Sequence, residues 1–166
     1  MPGNSRPKRA NAWSGGPERT RLLDDVNARL LAELHGDPRV SMSELARRVG
    51  MSAPAVTERV QRLERAGVIS GFHMNVDPAA LGLPVTALVR VRPGPGQLPG
   101  LIEAARGTPQ VVECYRTTGE DCLLLKVHAA SVEGLEEVLD AFLLFGQTTT
   151  SIVVATPIPL RPLPVR

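Results

Sequence analysis

The stretch 41–67, SMSELARRVGMSAPAVTERVQRLERAG, constrains the fold of this chain more than any other. It holds two short helical patterns punctuated by glycine. Ser41 and Glu44 stand in the S-x-x-E spacing of a capping box, which starts a helix by satisfying its first backbone N–H groups. Leu45, Ala46 and Val49 then face one way, and Gly50 is a left-handed stop. Ser52 is a second N-cap, and Pro54 is tolerated in the first turn of the helix that follows. Val56, Val60 and Leu63 lie at i, i+4 and i+7, so they point to a core, and Gly67 closes the pattern.

The flanks complete a module. Over 22–34 the apolar residues Leu22, Leu23, Val26, Leu30, Leu31 and Leu34 recur at helical spacing. Asp24 and Asp25 suit the positive end of that helix dipole, and Gly36 with Asp37-Pro38 ends it. Downstream, Val68-Ile69, a turn at Ser70-Gly71, and Phe72 to Val76 predict a small two-stranded wing. Residues 20–76 are therefore expected to form a winged helix-turn-helix.

The third helix sorts its residues by face. Thr57, Glu58, Arg59, Gln61, Arg62 and Arg65 point outward. A surface helix normally carries charge, so a merely solvated face is the plain alternative. Three details favour duplex DNA instead. Charge is segregated: 39–65 holds six arginines against three glutamates, whereas 22–37 sets Arg29 against Asp24, Asp25, Glu33 and Asp37. The cations are all arginine, which suits bidentate contact to phosphate or guanine. The helix start is small (Ser52, Ala53, Pro54, Ala55), which lets its N-terminus approach a groove.

After Leu83 the texture changes. A strand over 84–91, a loop over 92–100, a short helix over 98–106, strands over 111–119 and 122–129, a helix over 132–144 capped by Ser131, and a strand over 148–156 give the order βαββαβ, the ferredoxin-like plan. The fold class is α+β. Residues 77–83 read as a hinge between the domain 20–76 and the domain 84–156. The proline-rich stretch 157–166 reads as an exposed tail. Residues 1–19, with a net charge of +3, read as a disordered basic tail that could touch phosphates or be inert.

Composition bounds the rest. The chain has 166 residues, enough for one ordinary or two small domains. Its aromatic residues are three Phe, one Tyr and one Trp, so the core must be aliphatic. The net charge of +2 announces no nucleic acid in bulk. Cys114 and Cys122 are expected to be reduced thiols in a cytoplasmic protein, and no apolar run is long enough for a bilayer. Histidines 35, 73 and 128 are scattered, and no nucleophile elbow, phosphate loop or metal-ligand spacing is present. No enzyme activity, cofactor or metal is expected.

LDDVNARLLAEL, SMSELARRVGMSAPAVTERVQRLERAGVISGF and VDPAALGL resemble the DNA-binding half of the Lrp/AsnC (feast/famine) transcription regulators. RTTGEDCLLLKV and TTTSIVVA resemble the ligand-binding and assembly half. The resemblance spans about 22–156. Asn27 departs from the family, which usually has Asp there, and the proline-rich 93–99 leaves the following helix start indistinct. The resemblance implies a homodimer formed through the second domain's sheet, assembling to tetramers or octamers, and double-stranded DNA as partner. For DNA it implies Ser52, Ala55 and Thr57 near base edges or the adjoining backbone, Arg59 and Arg62 on bases or phosphates, and Arg47 and Arg48 on phosphates. It also implies a small effector, an amino acid, at the oligomer interface, held by the turn Gly119-Glu120-Asp121 and by Thr148, Thr149 and Thr150. From the residues alone, a plain hairpin turn and simple β-propensity are the favoured readings of those residues. Two other functions stay open: a DNA architectural protein without a small ligand, and an enzyme like the haem-pathway decarboxylases that share the second fold.

Overall fold

The computed structural model describes residues 21–165. The tail expected over 1–19 lies outside them. The described residues divide into two compact units, one running to Met74 and including those from Leu160, the other Asn75–Pro159. The division falls just before the stretch 77–83.

The first unit is built on α1 (Asp25–Gly36), α2 (Met42–Val49) and α3 (Ala53–Arg65). Asp24 caps α1: its carboxylate accepts the Asn27 N–H at 2.7 Å. That cap starts the helix after Leu22 and Leu23 and leaves Leu23 exposed. Ser41 caps α2 by accepting the Glu44 N–H at 3.2 Å. Gly50, at φ 72°, ends α2 in a Schellman motif: Met51 N–H donates to the Ala46 carbonyl and Gly50 N–H to the Arg47 carbonyl. Three apolar stripes meet in a core of Leu30, Leu34, Val40, Leu45, Ala46, Val49, Val56 and Val60. Leu63 is also fully buried.

The expected wing hairpin does not form a ladder. Val68 and Ile69, its first arm, both donate their N–H groups back to the Leu63 carbonyl and finish the cap of α3. Residues 70–77 then run exposed, with no strand assigned. An arm consumed by a helix cap has no N–H groups left to pair.

The second unit opens with a 3-10 turn at Ala79–Leu81, in which Asp77 accepts the Ala79 N–H and Gly82 takes φ 77°. Then follow β1 (Val85–Pro93), α4 (Leu98–Gly107), β2 (Val111–Arg116), β3 (Leu123–Ala129), α5 (Val132–Leu143) and β4 (Gly146–Ile152). The sheet is wholly antiparallel in the order β2-β3-β1-β4. Its buried residues Ala87, Val89, Val91, Leu123, Leu125 and Val127 pack with Leu101, Ala105, Leu135, Val138 and Phe142 of the helices. Alternation then assigns the other face. Thr86, Leu88, Arg90 and Arg92 of β1, Leu124, Lys126 and His128 of β3, Glu113 and Tyr115 of β2, and Gln147, Thr149 and Ser151 of β4 form a face without helices.

The last strand begins two residues earlier than the sequence pattern suggests and ends at Ile152 rather than 156. β1 sets both limits. Gly146 pairs with Pro93 at one end, and Val153 N–H makes a final bond to the Thr86 carbonyl at the other. Beyond that, β1 offers no further partner.

Candidate functional site

The outer face of α3 is open to solvent. Ser52, Pro54, Glu58, Gln61, Arg62 and Arg65 are all exposed. Ser52 occupies the N-cap of α3, but its hydroxyl makes no cap bond. Pro54 removes one of the N–H groups a cap would serve. The Ala53 and Ala55 N–H groups and the Ser52 hydroxyl are thus left at the positive end of the helix dipole, next to small side chains. Thr57 is half-buried, and its hydroxyl donates to the Ala53 carbonyl at 2.8 Å, which leaves its lone pairs as acceptors. Arg62 and Arg65 make no salt bridge among the described residues.

The other expected arginines have partners. Arg47 donates to Glu44 through Nε at 2.8 Å and Nη2 at 2.6 Å, yet 76% of its side chain stays exposed. It can swing to a phosphate at little cost, because an exposed pair on one helix contributes only a few tenths of a kcal/mol. Arg48 cannot do so as readily. It meets Glu44 at 3.0 Å, Glu33 at 3.2 Å and Asp37 at 3.6 Å, and so ties α2 to the end of α1. Arg59 turns toward α1, where Nη1 donates to Asp24 at 2.8 Å. The structure therefore separates the arginines that look alike on a helical wheel into exposed ones (Arg47, Arg62, Arg65) and tethered ones (Arg48, Arg59). Arg65 and Gln61 belong on the exposed face with Arg62; their outward phase is the signal for it.

Glu44 is the anchor of this charge network. Hydrogen bonds from Arg47 and then Arg48 pull its carboxyl from the ordinary 4.5 down to about 2. A carboxylate with a depressed folded pKa stabilises the fold above its unfolded value and loses that contribution as pH falls through the folded one. Melting temperatures of the wild type and of Glu44→Gln should therefore differ above about pH 5 and converge as the pH is lowered toward 2. The difference should shrink in 0.5 M salt, because the group is exposed. Equal melting temperatures at pH 6 would show that the network does not stabilise the module.

In the second unit, the turn between β2 and β3 is closed by three bonds: Thr117 N–H to the Cys122 carbonyl, Cys122 N–H to the Glu120 carbonyl, and Thr117 Oγ1 to the Asp121 carbonyl, each 2.9 Å. Gly119 sits at φ 100°, where a Cβ would be strained. The N–H groups of Gly119, Glu120 and Asp121 donate to no acceptor among the described residues. Arg92 reaches both acids of the turn, Glu120 at 2.8 Å and Asp121 at 3.2 Å. Sequence reasoning missed Arg92. The signal was present, since Arg90 and Arg92 alternate with the buried Val89 and Val91.

The three threonines do not act as one set. Thr149 pairs with Arg90 on the face without helices, whereas Thr148 and Thr150 pair with Val91 and Val89 and point toward the helix layer. A strand sends consecutive side chains to opposite faces. Only Thr149 therefore shares the face that carries Arg92.

Other chemistry is sparse. Cys114 and Cys122 are free, and burial pushes the Cys114 thiol up, away from the reactive thiolate. His128 is buried and bonded to Thr86 Oγ1 at 2.9 Å, and burial lowers its pKa from the ordinary histidine value. No group of three or more metal-ligand side chains occurs among the described residues. No helix among them is long and apolar enough to cross a membrane.

Comparison with known proteins agrees with this geometry. Residues 23–70 match the family model described as winged helix-turn-helix DNA-binding, and residues 86–163 match the Lrp/AsnC ligand binding domain. The HTH-type transcriptional regulator LrpC of Bacillus subtilis is 34% identical over 131 residues, which cover 79% of this chain and 91% of LrpC. AldR of Mycobacterium tuberculosis is 35% identical over 153 residues, covering 88% and 86%. The solved structure of a feast or famine regulatory protein from M. tuberculosis complexed with L-methionine superposes with a TM-score of 0.79 at 34% identity, covering 85% of this chain and 98% of that one. The family and these relatives are transcriptional regulators, not enzymes. These matches, over a unit of three helices and a βαββαβ unit, place the chain in the Lrp/AsnC family of DNA-binding transcriptional regulators.

Proposed function

We propose that this protein reads a specific DNA sequence through the outer face of α3 and that an amino acid bound in its second unit alters that reading. The observation that carries the DNA half is the exposed face of α3. It presents an uncapped helix start, Ser52 and Ala55 close to it, and two arginines free of salt bridges. Ser52, Ala55 and Thr57 then lie near base edges or the adjoining backbone, Gln61, Arg62 and Arg65 on bases or phosphates, and Arg47 on a phosphate. The protein acts as a homodimer that buries the sheet face without helices, where Leu88 and Tyr115 are exposed in the single chain. Two recognition helices then read a near-palindromic site, and dimers assemble further into tetramers or octamers.

The effector half rests on the turn. Free N–H groups at 119–121, the carboxylates of Glu120 and Asp121, and the Arg92 guanidinium complement both ends of a zwitterion. An α-carboxylate competes for Arg92 and the N–H groups, an ammonium for the acids, and Thr149 offers a hydroxyl on the same face. The L-methionine complex of a relative supports this class of ligand. The effector shifts the balance between assemblies by binding one better than another. Within a cell this places the protein in the cytoplasm with the DNA.

The test is selection of bound fragments from genomic DNA, with and without a pool of the twenty amino acids. A defined set of near-palindromic sites whose occupancy changes with the pool is expected. Binding to random and selected duplexes within a few-fold of each other at physiological salt would instead mean an architectural protein. Unchanged occupancy together with a flat thermal-shift response to all twenty would exclude an amino-acid effector.

A further inference from the structure

Arg59 belongs to α3, yet its guanidinium meets the first turn of α1. A single nitrogen, Nη1, donates to Asp24 Oδ2 at 2.8 Å and to Asn27 Oδ1 at 3.0 Å. Each acceptor has a second partner. Asp24 Oδ1 caps α1 through the Asn27 N–H, and Asn27 Nδ2 donates to the Leu22 carbonyl at 2.6 Å. Asn27 is only 5% exposed. The neutral amide suits this place, since a carboxylate would set an oxygen against the Leu22 carbonyl oxygen.

We propose that Arg59 is a positioning residue for DNA binding: it fixes the rotation of α3 against α1 through Asp24 and Asn27, and it does not itself touch DNA. Two physical reasons support this. The apolar contacts of Val56, Val60 and Leu63 hold α3 down, but hydrophobic contact is non-directional and tolerates rotation. A bridging charged hydrogen bond is directional and sets the rotation that presents Gln61, Arg62 and Arg65. To reach a phosphate, moreover, Arg59 would leave Asn27 Oδ1 buried without a donor and Asp24 without its counter-ion, whereas Arg62 and Arg65 carry the same charge with no such loss.

The proposal rests on α3 being the helix that meets DNA, and the sign of one substitution tests it. Asp24→Asn keeps the cap, because Asn caps helices as well as Asp, and removes the ionic partner of Arg59. It also makes the module more positive and frees Arg59. The probe is a duplex selected by the wild-type protein from a random-sequence pool. Asp24→Asn is expected to weaken binding about tenfold despite the added positive charge, with no change in the slope of log K against log salt. Arg59→Gln should do the same, and the double variant should be no worse than either single one, as for residues acting through one contact. Arg62→Gln, measured beside them, should reduce the slope by about one. If Arg59→Gln does not fold, judged by its melting curve, Asp24→Asn decides alone: it keeps every arginine, so an Arg59 that touched phosphate would hold or raise affinity, whereas a positioning Arg59 lowers it. The role of Arg59 is overturned if Asp24→Asn binds as tightly as wild type or tighter, or if Arg59→Gln reduces the slope by about one. A wild-type slope and affinity in every variant, Arg62→Gln included, would overturn both that role and the assignment of α3 to DNA.

Discussion

Alanine at position 146 is expected to lower the melting temperature of the second unit by roughly 10–20 °C, equivalent to about 2–4 kcal/mol. Gly146 pairs with Pro93 where β4 joins β1. A Cβ built there would stand 2.1 Å from the Arg92 carbonyl oxygen and 2.8 Å from Pro93 Cα. Both are backbone atoms of β1, which lies between β3 and β4 and is held by ladders on each side. Neither can give way without breaking pairing, and the adjacent bond from Gly94 N–H to the Phe145 carbonyl, 2.8 Å, would go with it. The demand on Gly146 is for space, not for a left-handed backbone.

Two other glycines calibrate the measurement. A Cβ at Gly100 would meet the ring of Phe145 at 2.8 Å, which a side chain can partly relieve, so Gly100→Ala should cost less. At Gly107, the last residue of α4, nothing lies within 4 Å, and Gly107→Ala should be neutral or slightly stabilising. Thermal unfolding followed by circular dichroism ranks the three. A Gly146→Ala variant melting within about 3 °C of the wild type would show that the β1–β4 approach is looser than described. Because β4 also carries Thr149 beside Arg90, a shifted β4 should weaken any effector response in the same variant.

The pair Arg62→Gln with Arg65→Gln is expected to reduce affinity for a selected duplex by roughly a hundredfold at 0.1 M salt, from about tenfold for each contact. Neither residue makes a salt bridge among the described residues. Their removal should therefore leave the melting temperature nearly unchanged, as for surface positions generally. Salt separates their roles. An arginine on a phosphate alone reduces the salt slope by about one and weakens all sequences alike, whereas one reading a base relaxes specificity at a single position. Anisotropy titrations at several salt concentrations, with single-base variants of the duplex, resolve the two cases. Undiminished affinity in the double variant would remove α3 from the DNA interface. Arg48→Gln makes the opposite pattern: with Glu33, Asp37 and Glu44 as its partners, it should lower stability and leave the salt slope alone.

Much of the architecture was legible because its signals are local. Ser41, Gly50, Gly67 and Ser131 end or start helices through bonds to groups three to five residues away. A cap of that kind is written within one turn of sequence. The strand over 84–91 is local in the same sense, and its alternation puts Ala87, Val89 and Val91 on the buried face. The strand pairing expected over 68–76 is not made because one short run, Val68-Ile69, could serve a helix cap or a strand, and the cap was nearer. Thr148, Thr149 and Thr150 were not told apart because three adjacent residues of one type conceal the alternation that sends Thr149 to the opposite face.

By itself the sequence determined the order of the helices and sheet strands, the caps of α2, α3 and α5, the segregation of arginine from acid, and the family. The tertiary structure alone decided which arginines are available. Arg59 finds Asp24 across 35 residues, Arg48 finds Glu33 across 15, and Arg92 finds Asp121 across 29. Such pairs depend on how the helices cross and how the strands order, and no local bond encodes that. A guanidinium on a helical wheel has a direction but no partner until the packed core places an acid within reach of its side chain.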